Sequence, residues 1–267
     1  MRIAAEDQAA GLRKLFNRRP PEVLGALACG QGATAWLARQ LQARAAEGQR
    51  LLALEDSPAA GNLGEALGAQ LRFDLLQAAE GHVASEVCRV IVQPGLSVLP
   101  VARMSQQMGD RVLRQRATAI LSEFQNDCDE WLIHARAHDV LGVSPLIAAA
   151  PRILLVVDPN ARAFTEAYAA LKRCAAGADS LSVGLALCAP STPETQALTA
   201  NLRSVAWRLL GIEVQAVASL AAAMQLPAAL GEQEGFVQRL QRQAMAPRDF
   251  LASNRGRAMV NSRANSR

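Results

Sequence analysis

Lysine is almost missing from this chain: Lys14 and Lys172 are the only two in 267 residues, and arginine carries the rest of the fixed positive charge. Neither lysine lies within a glycine loop that opens a helix, so neither can complete such a loop with an ammonium group. No run of eighteen or more uncharged apolar residues occurs, and none is therefore long enough to cross a bilayer as a helix. The five cysteines, Cys29, Cys88, Cys128, Cys174 and Cys188, are an odd set without a CxxC pair, so neither a disulfide framework nor a zinc knuckle is suggested and they read as scattered core thiols. The opening "MRIAAEDQAAG" places acids close behind a short apolar patch, unlike a secretory signal, so a cytoplasmic protein is expected.

What is present is a hydrophobic content of 51%, enough for one sizeable core with appendages. The formal charge of +4 is concentrated at the ends. Five arginines between Arg248 and Arg267 face Asp249 alone, and Arg2, Arg13, Lys14, Arg18 and Arg19 face only Glu6 and Asp7. The body between is mildly acidic, which argues against a nucleic-acid surface there.

Hydrophobic periodicity divides the chain into an N-terminal helix within residues 1–20, an α/β domain over 21–230 and a tail over 231–267. In "AAEDQAAGLRKLFNR" the apolar stripe is Leu12, Leu15 and Phe16, and Pro20 and Pro21 stop the helix. Then "VLGALA" reads as a strand, "TAWLARQLQARAAEG" as a helix and "RLLALED" as a strand. Further strands are expected in "LSVLPVA", "EWLIHA", "RILLVVD", "LSVGLALCA" and "EVQAVASL". Helices are expected in "MGDRVLRQRATAILSEFQND", "ARAFTEAYAALKRCAAG" and "TPETQALTANLRSVAWRLLG", the last opened by a Thr192 cap with Pro193 behind it. This alternation predicts a doubly wound, mostly parallel sheet flanked by helices, with an N-terminal helical appendage. "GFVQRLQRQAM" adds a short amphipathic helix with Phe236, Val237, Leu240 and Met245 on a thin apolar side, before a basic tail expected to be disordered.

One stretch carries a recognisable chemistry. "LACGQGATAWLARQL" runs from a strand through glycines into a helix, the layout in which successive backbone N–H groups and a helix N-terminus meet a phosphate. No lysine completes it. "HARAH" sets His134 and His138 four apart, but His134 ends a predicted strand, so the helical metal-site spacing does not apply and no metal site is expected.

Three segments resemble the MinD/ParA-type ATPases, and within them the flagellar number regulators FlhG and FleN. "DQAAGLRKLF" is similar to the Asp-Gln-Ala…Leu-Arg motif that contacts the flagellar GTPase FlhF; "LLALEDSPAAGNLGEALG" is similar to Leu-Leu-Asp-Ala-Asp followed by Gly-Asn-Leu; "VVDPNARAFTEAYAALK" is similar to Thr-Pro-Glu-Pro-Thr followed by Thr-Asp-Ala-Tyr-Ala. The resemblance implies a MinD-like P-loop fold and assigns FlhF-type partner contacts to Asp7, Gln8, Leu12, Arg13, Leu15 and Phe16. Gly11 within that helix costs about 1 kcal/mol relative to alanine, and the leading position leaves the polar side free, which favours a partner-binding helix.

The same resemblance exposes what has been replaced. Laid on the family's Lys-Gly-Gly-Val-Gly-Lys-Thr loop, Gly30, Gly32 and Thr34 match, while both lysines fall on Ala28 and Ala33. The two acids of the Asp-Ala-Asp segment fall on Glu55 and Ser57, and the acid of the magnesium shell falls on His134. Two charge-assisted hydrogen bonds of about 1.5–3 kcal/mol each are lost with the lysines, roughly a hundredfold to ten-thousandfold in affinity. The expected protein has no catalytic residue, no metal and no cofactor; Gly30, Gly32 and Thr34 are where ATP with magnesium would still be met. The expected function is regulation of flagellar number or placement by stimulating a FlhF-type GTPase. Two alternatives stay open: a MinD-type ATP-dependent dimer switch, and a scaffold for flagellar switch or transcription-regulator proteins. A weak inner-membrane contact through the C-terminal helix, at the cell pole or elsewhere, and no direct nucleic-acid binding complete the expectations.

Overall fold

The computed structural model describes residues 20–58, 60–137, 143–176, 181–229 and 235–243. The N-terminal helix and the basic tail lie outside these residues, as does His138.

The alternation read from the sequence is present. Strand β1 (Glu22–Cys29) leads through the glycine turn into helix α1 (Gly32–Ala46), and β2 (Leu51–Glu55) follows. An antiparallel pair, β3 (Val90–Gln93) and β4 (Leu96–Pro100), precedes α2 (Arg111–Phe124) and β5 (Glu130–Arg136). Then come β6 (Ile153–Val157), α3 (Ala161–Ala175), β7 (Val183–Leu187), α4 (Pro193–Leu210), β8 (Val214–Ala216) and α5 (Phe236–Gln243). The sheet order is β3-β4-β2-β5-β1-β6-β7-β8, parallel throughout except for β3. Helix α4 starts as expected, with Thr192 accepting from the Thr195 N–H and Pro193 in the first turn.

Period-two alternation sends each strand's side chains to two separate cores. Leu24, Ala26 and Ala28 of β1, Leu51 and Ala53 of β2 and Leu132 of β5 pack under α1, against Trp36, Leu37 and Leu41. The opposite side chains, among them Leu27, Leu52, Leu54, Trp131 and Ile133, face α2, α3, α4 and α5. β1, β2 and β5 are almost wholly buried, which is why they read as continuous apolar runs.

Two features depart from the sequence reading. Strand β3 has only three apolar residues and a half-exposed pattern, too short for a strand signal, and it exists because Gly95 (φ 82°) turns it back onto β4. Helix α5 is amphipathic, but its apolar side is already covered. Phe236, Val237 and Leu240 are buried, Phe236 meets the Trp131 ring edge-on at 5.9 Å, and Gln241 Nε2 donates to Thr118 Oγ1 at 3.1 Å. In this arrangement those three residues belong to the core, and Met245, the fourth residue of the expected apolar side, lies outside the described residues. Among the described residues no helix is long and apolar enough to cross a membrane.

Replacing Phe236 by alanine is expected to lower unfolding free energy by about 3–5 kcal/mol, measured by urea denaturation, because it empties a packed aromatic site. A loss below about 1 kcal/mol would show that α5 is not part of the core.

Candidate functional site

The loop Gly30–Gln31–Gly32 joins β1 to α1 at the carboxyl end of the central strand, where open α/β sheets place their ligands. Gly30 needs a left-handed φ of 91°, which is inexpensive only for glycine. The three matching positions lie together, with Gly30 and Gly32 in the turn and Thr34 buried in the first turn of α1. Ala28 and Ala33, the two positions the resemblance gives to lysine, are fully buried methyl groups.

The loop's donors are engaged by the protein itself. Gly32 N–H donates to Asp158 Oδ2 at 3.0 Å, and Gly30 N–H donates to Glu166 Oε2 at 3.1 Å. Asp158 follows β6, and its own N–H donates to the Cys29 carbonyl at 3.0 Å. Glu166 sits on α3, whose start is set by Asn160, the side chain of which accepts from Ala163 N–H. The Arg162 Nε donates to the other oxygen of Glu166 at 3.2 Å.

The magnesium corner is likewise closed. Parallel register sets His134 of β5 between Ala26 of β1 and Glu55 of β2, all on the α1 side of the sheet. His134 Nδ1 lies 2.9 Å from Glu55 Oε1, and Nε2 lies 3.2 Å from Thr34 Oγ1. Glu55 also accepts the N–H groups of Ser57 and Leu63, so the carboxylate is matched on both oxygens. His134 and Glu55 are 0% and 2% exposed, so removing either partner would leave a buried polar group unpaired, at a cost of about 1–3 kcal/mol. Magnesium takes oxygen ligands in near-octahedral geometry and keeps several waters. A threonine already paired with an imidazole, and an imidazole already paired with a glutamate, do not fit that ion. Among the described residues no group of three acid, histidine or cysteine side chains is arranged to hold a metal.

Sequence reasoning missed Asp158 and Glu166, although a signal existed. Asp158 stands where the resembled segment has threonine, an anion gained opposite two vanished cations. Arg136 was missed too. It lines a cleft of about 360 Å³ beside the loop, together with Asp158, Asn160, Arg162 and Glu166, and its Nη1 donates to the Ala60 carbonyl at 2.6 Å. Arg44 and Arg50, which could be imagined to replace the lysine, are at the other end of the strands. They pair with Glu130 and Asp129, and Arg44 is partly buried as it bridges Glu130 and Glu47. Cys29 is fully buried and its thiol is pushed up by that burial, then by the charge of Glu166, as expected for a packed cysteine.

A larger cleft, about 560 Å³, lies elsewhere, between α4 and the ends of β7 and β8. Its lining is mostly apolar, and its arginine, Arg203, donates through Nε to the Val214 carbonyl. The loop has the more specific chemistry, and the larger volume is not what marks the site.

No protein-family profile matches the chain, and no curated protein matches it. Solved structures do. An ATP complex of a McdA variant from Cyanothece superposes with a TM-score of 0.52 at 14% identity, over 74% of this chain and 83% of that one. The MinC:MinD cell division complex of Aquifex aeolicus gives 0.52 at 18%, over 86% and 96%. A ParA family ATPase from Chlorobium tepidum gives 0.52 at 15%, over 76% and 87%. The fold is that of the MinD and ParA ATPases. At such identities the likeness extends to the fold alone, and the chemistry must be read from the residues present here.

Next to this corner, Asp56 is buried with Ser144 and Ser105 as hydroxyl partners. Burial pushes its carboxyl up to about 7, against the pull of the two serines and with a further rise from the charges of Glu55 and Asp74. The folded chain therefore holds a proton that the unfolded chain has already released between about pH 4 and 7. Its stabilising effect is complete below the unfolded value and is lost as pH rises through 7. Asp56→Asn is expected to match the native midpoint of thermal unfolding near pH 4 and to exceed it by a margin that grows up to about pH 7 and then stays constant. Equal pH profiles for the two proteins would refute the assignment.

Proposed function

We propose that this chain is a regulatory protein of the FlhG/FleN kind, built on the MinD/ParA fold, that works without hydrolysing ATP. The observation that carries this reading is the Thr34–His134–Glu55 chain. It occupies the corner where the resemblance expects the magnesium shell, and each member already has a partner. Ala33 in place of the phosphate lysine and Ser57 in place of the water-orienting acid support it from the side of charge.

In this reading the output lies in binding. The N-terminal motif, with Asp7, Gln8 and Arg13 as directional contacts and Leu12, Leu15 and Phe16 as the apolar side, engages a FlhF-type GTPase in the cytoplasm and stimulates its turnover. The α/β domain serves as the carrier. A second reading, the ATP-dependent dimer switch, draws on the retained Gly30, Gly32 and Thr34 and on Arg136 and Arg162 in the adjoining cleft. A third, the scaffold for flagellar switch or transcription-regulator proteins, needs only the sheet domain.

The test is GTP turnover by a FlhF-type protein with the full chain, with a peptide of residues 1–20 and with a chain lacking them. Stimulation by the first two and none by the third is expected. Activity that survives deletion of the segment points to the scaffold, and failure of even the full chain to stimulate discards the regulator reading. Calorimetric titration of ATP with magnesium is expected to give no heat of binding; saturable binding with dimer formation would instead select the switch.

A further inference from the structure

We propose that Asp158 and Glu166 are resident anions of the glycine loop: the chain fills its own phosphate nest, so the loop is held in an occupied geometry with no nucleotide bound. This goes beyond the functional reading above and does not depend on which partner the protein serves.

The geometry comes from three elements that converge on the turn. Strand β6 runs beside β1 with Val157 opposite Cys29, and the Asp158 N–H bond to the Cys29 carbonyl extends that ladder by one step. The next side chain in line is the Asp158 carboxylate, which reaches the Gly32 N–H at the start of α1. There it meets both a donor and the positive end of a fifteen-residue helix. Helix α3 brings Glu166 to the Gly30 N–H from the other side, with Arg162 holding its second oxygen. Behind Asp158 lies Cys188, whose thiol is pushed up to about 12 by burial and then by the charge of Asp158, so it faces the carboxylate as a neutral S–H.

Space confirms how close the approach is. A Cβ added at Gly32 would stand 2.7 Å from Asp158 Oδ1, and one added at Gly30 would collide with the same carboxylate. Gly32 has no left-handed backbone to explain it, so the carboxylate is what excludes a side chain there. An external phosphate entering the nest would have to displace both carboxylates or stand against them. At about 4 Å, two like unit charges near a protein surface repel strongly, and the nest cannot serve two anions at once.

Thermal unfolding of the full chain, with and without millimolar inorganic pyrophosphate and no metal, tests the proposal. Wild type is expected to show no shift with pyrophosphate. Asp158→Ala/Glu166→Ala is expected to unfold several degrees lower and to recover more than half of that loss as pyrophosphate saturates. Gly32→Ala should lower the midpoint in the wild-type background and have little effect beside Asp158→Ala. A wild type stabilised by pyrophosphate as much as the double variant would overturn the proposal, as would an equal cost of Gly32→Ala in both backgrounds. Should the alanine variants fail to fold, Asp158→Asn/Glu166→Gln keeps the shapes and removes the charges. Amide exchange at Gly30 and Gly32 is then expected to be slow in wild type and at least tenfold faster in that variant, and fast exchange in wild type would refute the idea.

Discussion

A carboxylate buried between the strands of a parallel sheet must be matched atom by atom, and the site depends on how Glu55 is matched. Water is excluded at the end of β2, so each oxygen left without a donor would carry a desolvation cost of a few kcal/mol. His134 supplies one partner across the β2–β5 ladder, and the Ser57 and Leu63 N–H groups supply the others. His134 in turn reaches Thr34, which ties the sheet to the first turn of α1. The glycine loop is therefore anchored at its far end by a hydrogen-bond chain made of the protein's own side chains.

The near end of the loop is anchored by the same logic with the opposite sign. Turn N–H groups and a helix N-terminus attract an anion, and a fold that keeps them can supply one from its own side chains. Asp158 and Glu166 meet that demand from β6 and α3. Two carboxyl side chains thus stand where ammonium groups and phosphates together would otherwise balance. The electrostatics of the loop has become internal, and the fold keeps the turn for its connection between β1 and α1.

Much of this was legible from residue order. The buried strands announced themselves as apolar runs, α4 by its Thr192 and Pro193 start, and the glycine turn by its place between strand and helix. Strand β3 was not legible, because three apolar residues carry no periodicity and the pairing is imposed by the turn at Gly95. The burial of α5 was not legible either, since a thin apolar side looks the same whether it meets lipid, a partner or Trp131.

What the sequence by itself determined is the alternation of elements and the loss of lysine from the loop, because both are properties of neighbouring residues or of simple count. What only the tertiary structure decided is who replaces the missing groups. Asp158 and Gly32 are 126 positions apart, Glu166 and Gly30 136, and His134 and Thr34 100. Such pairs meet only after strand order and register have been chosen, and no local pattern encodes that choice, since it is made by the packing of whole faces against one another.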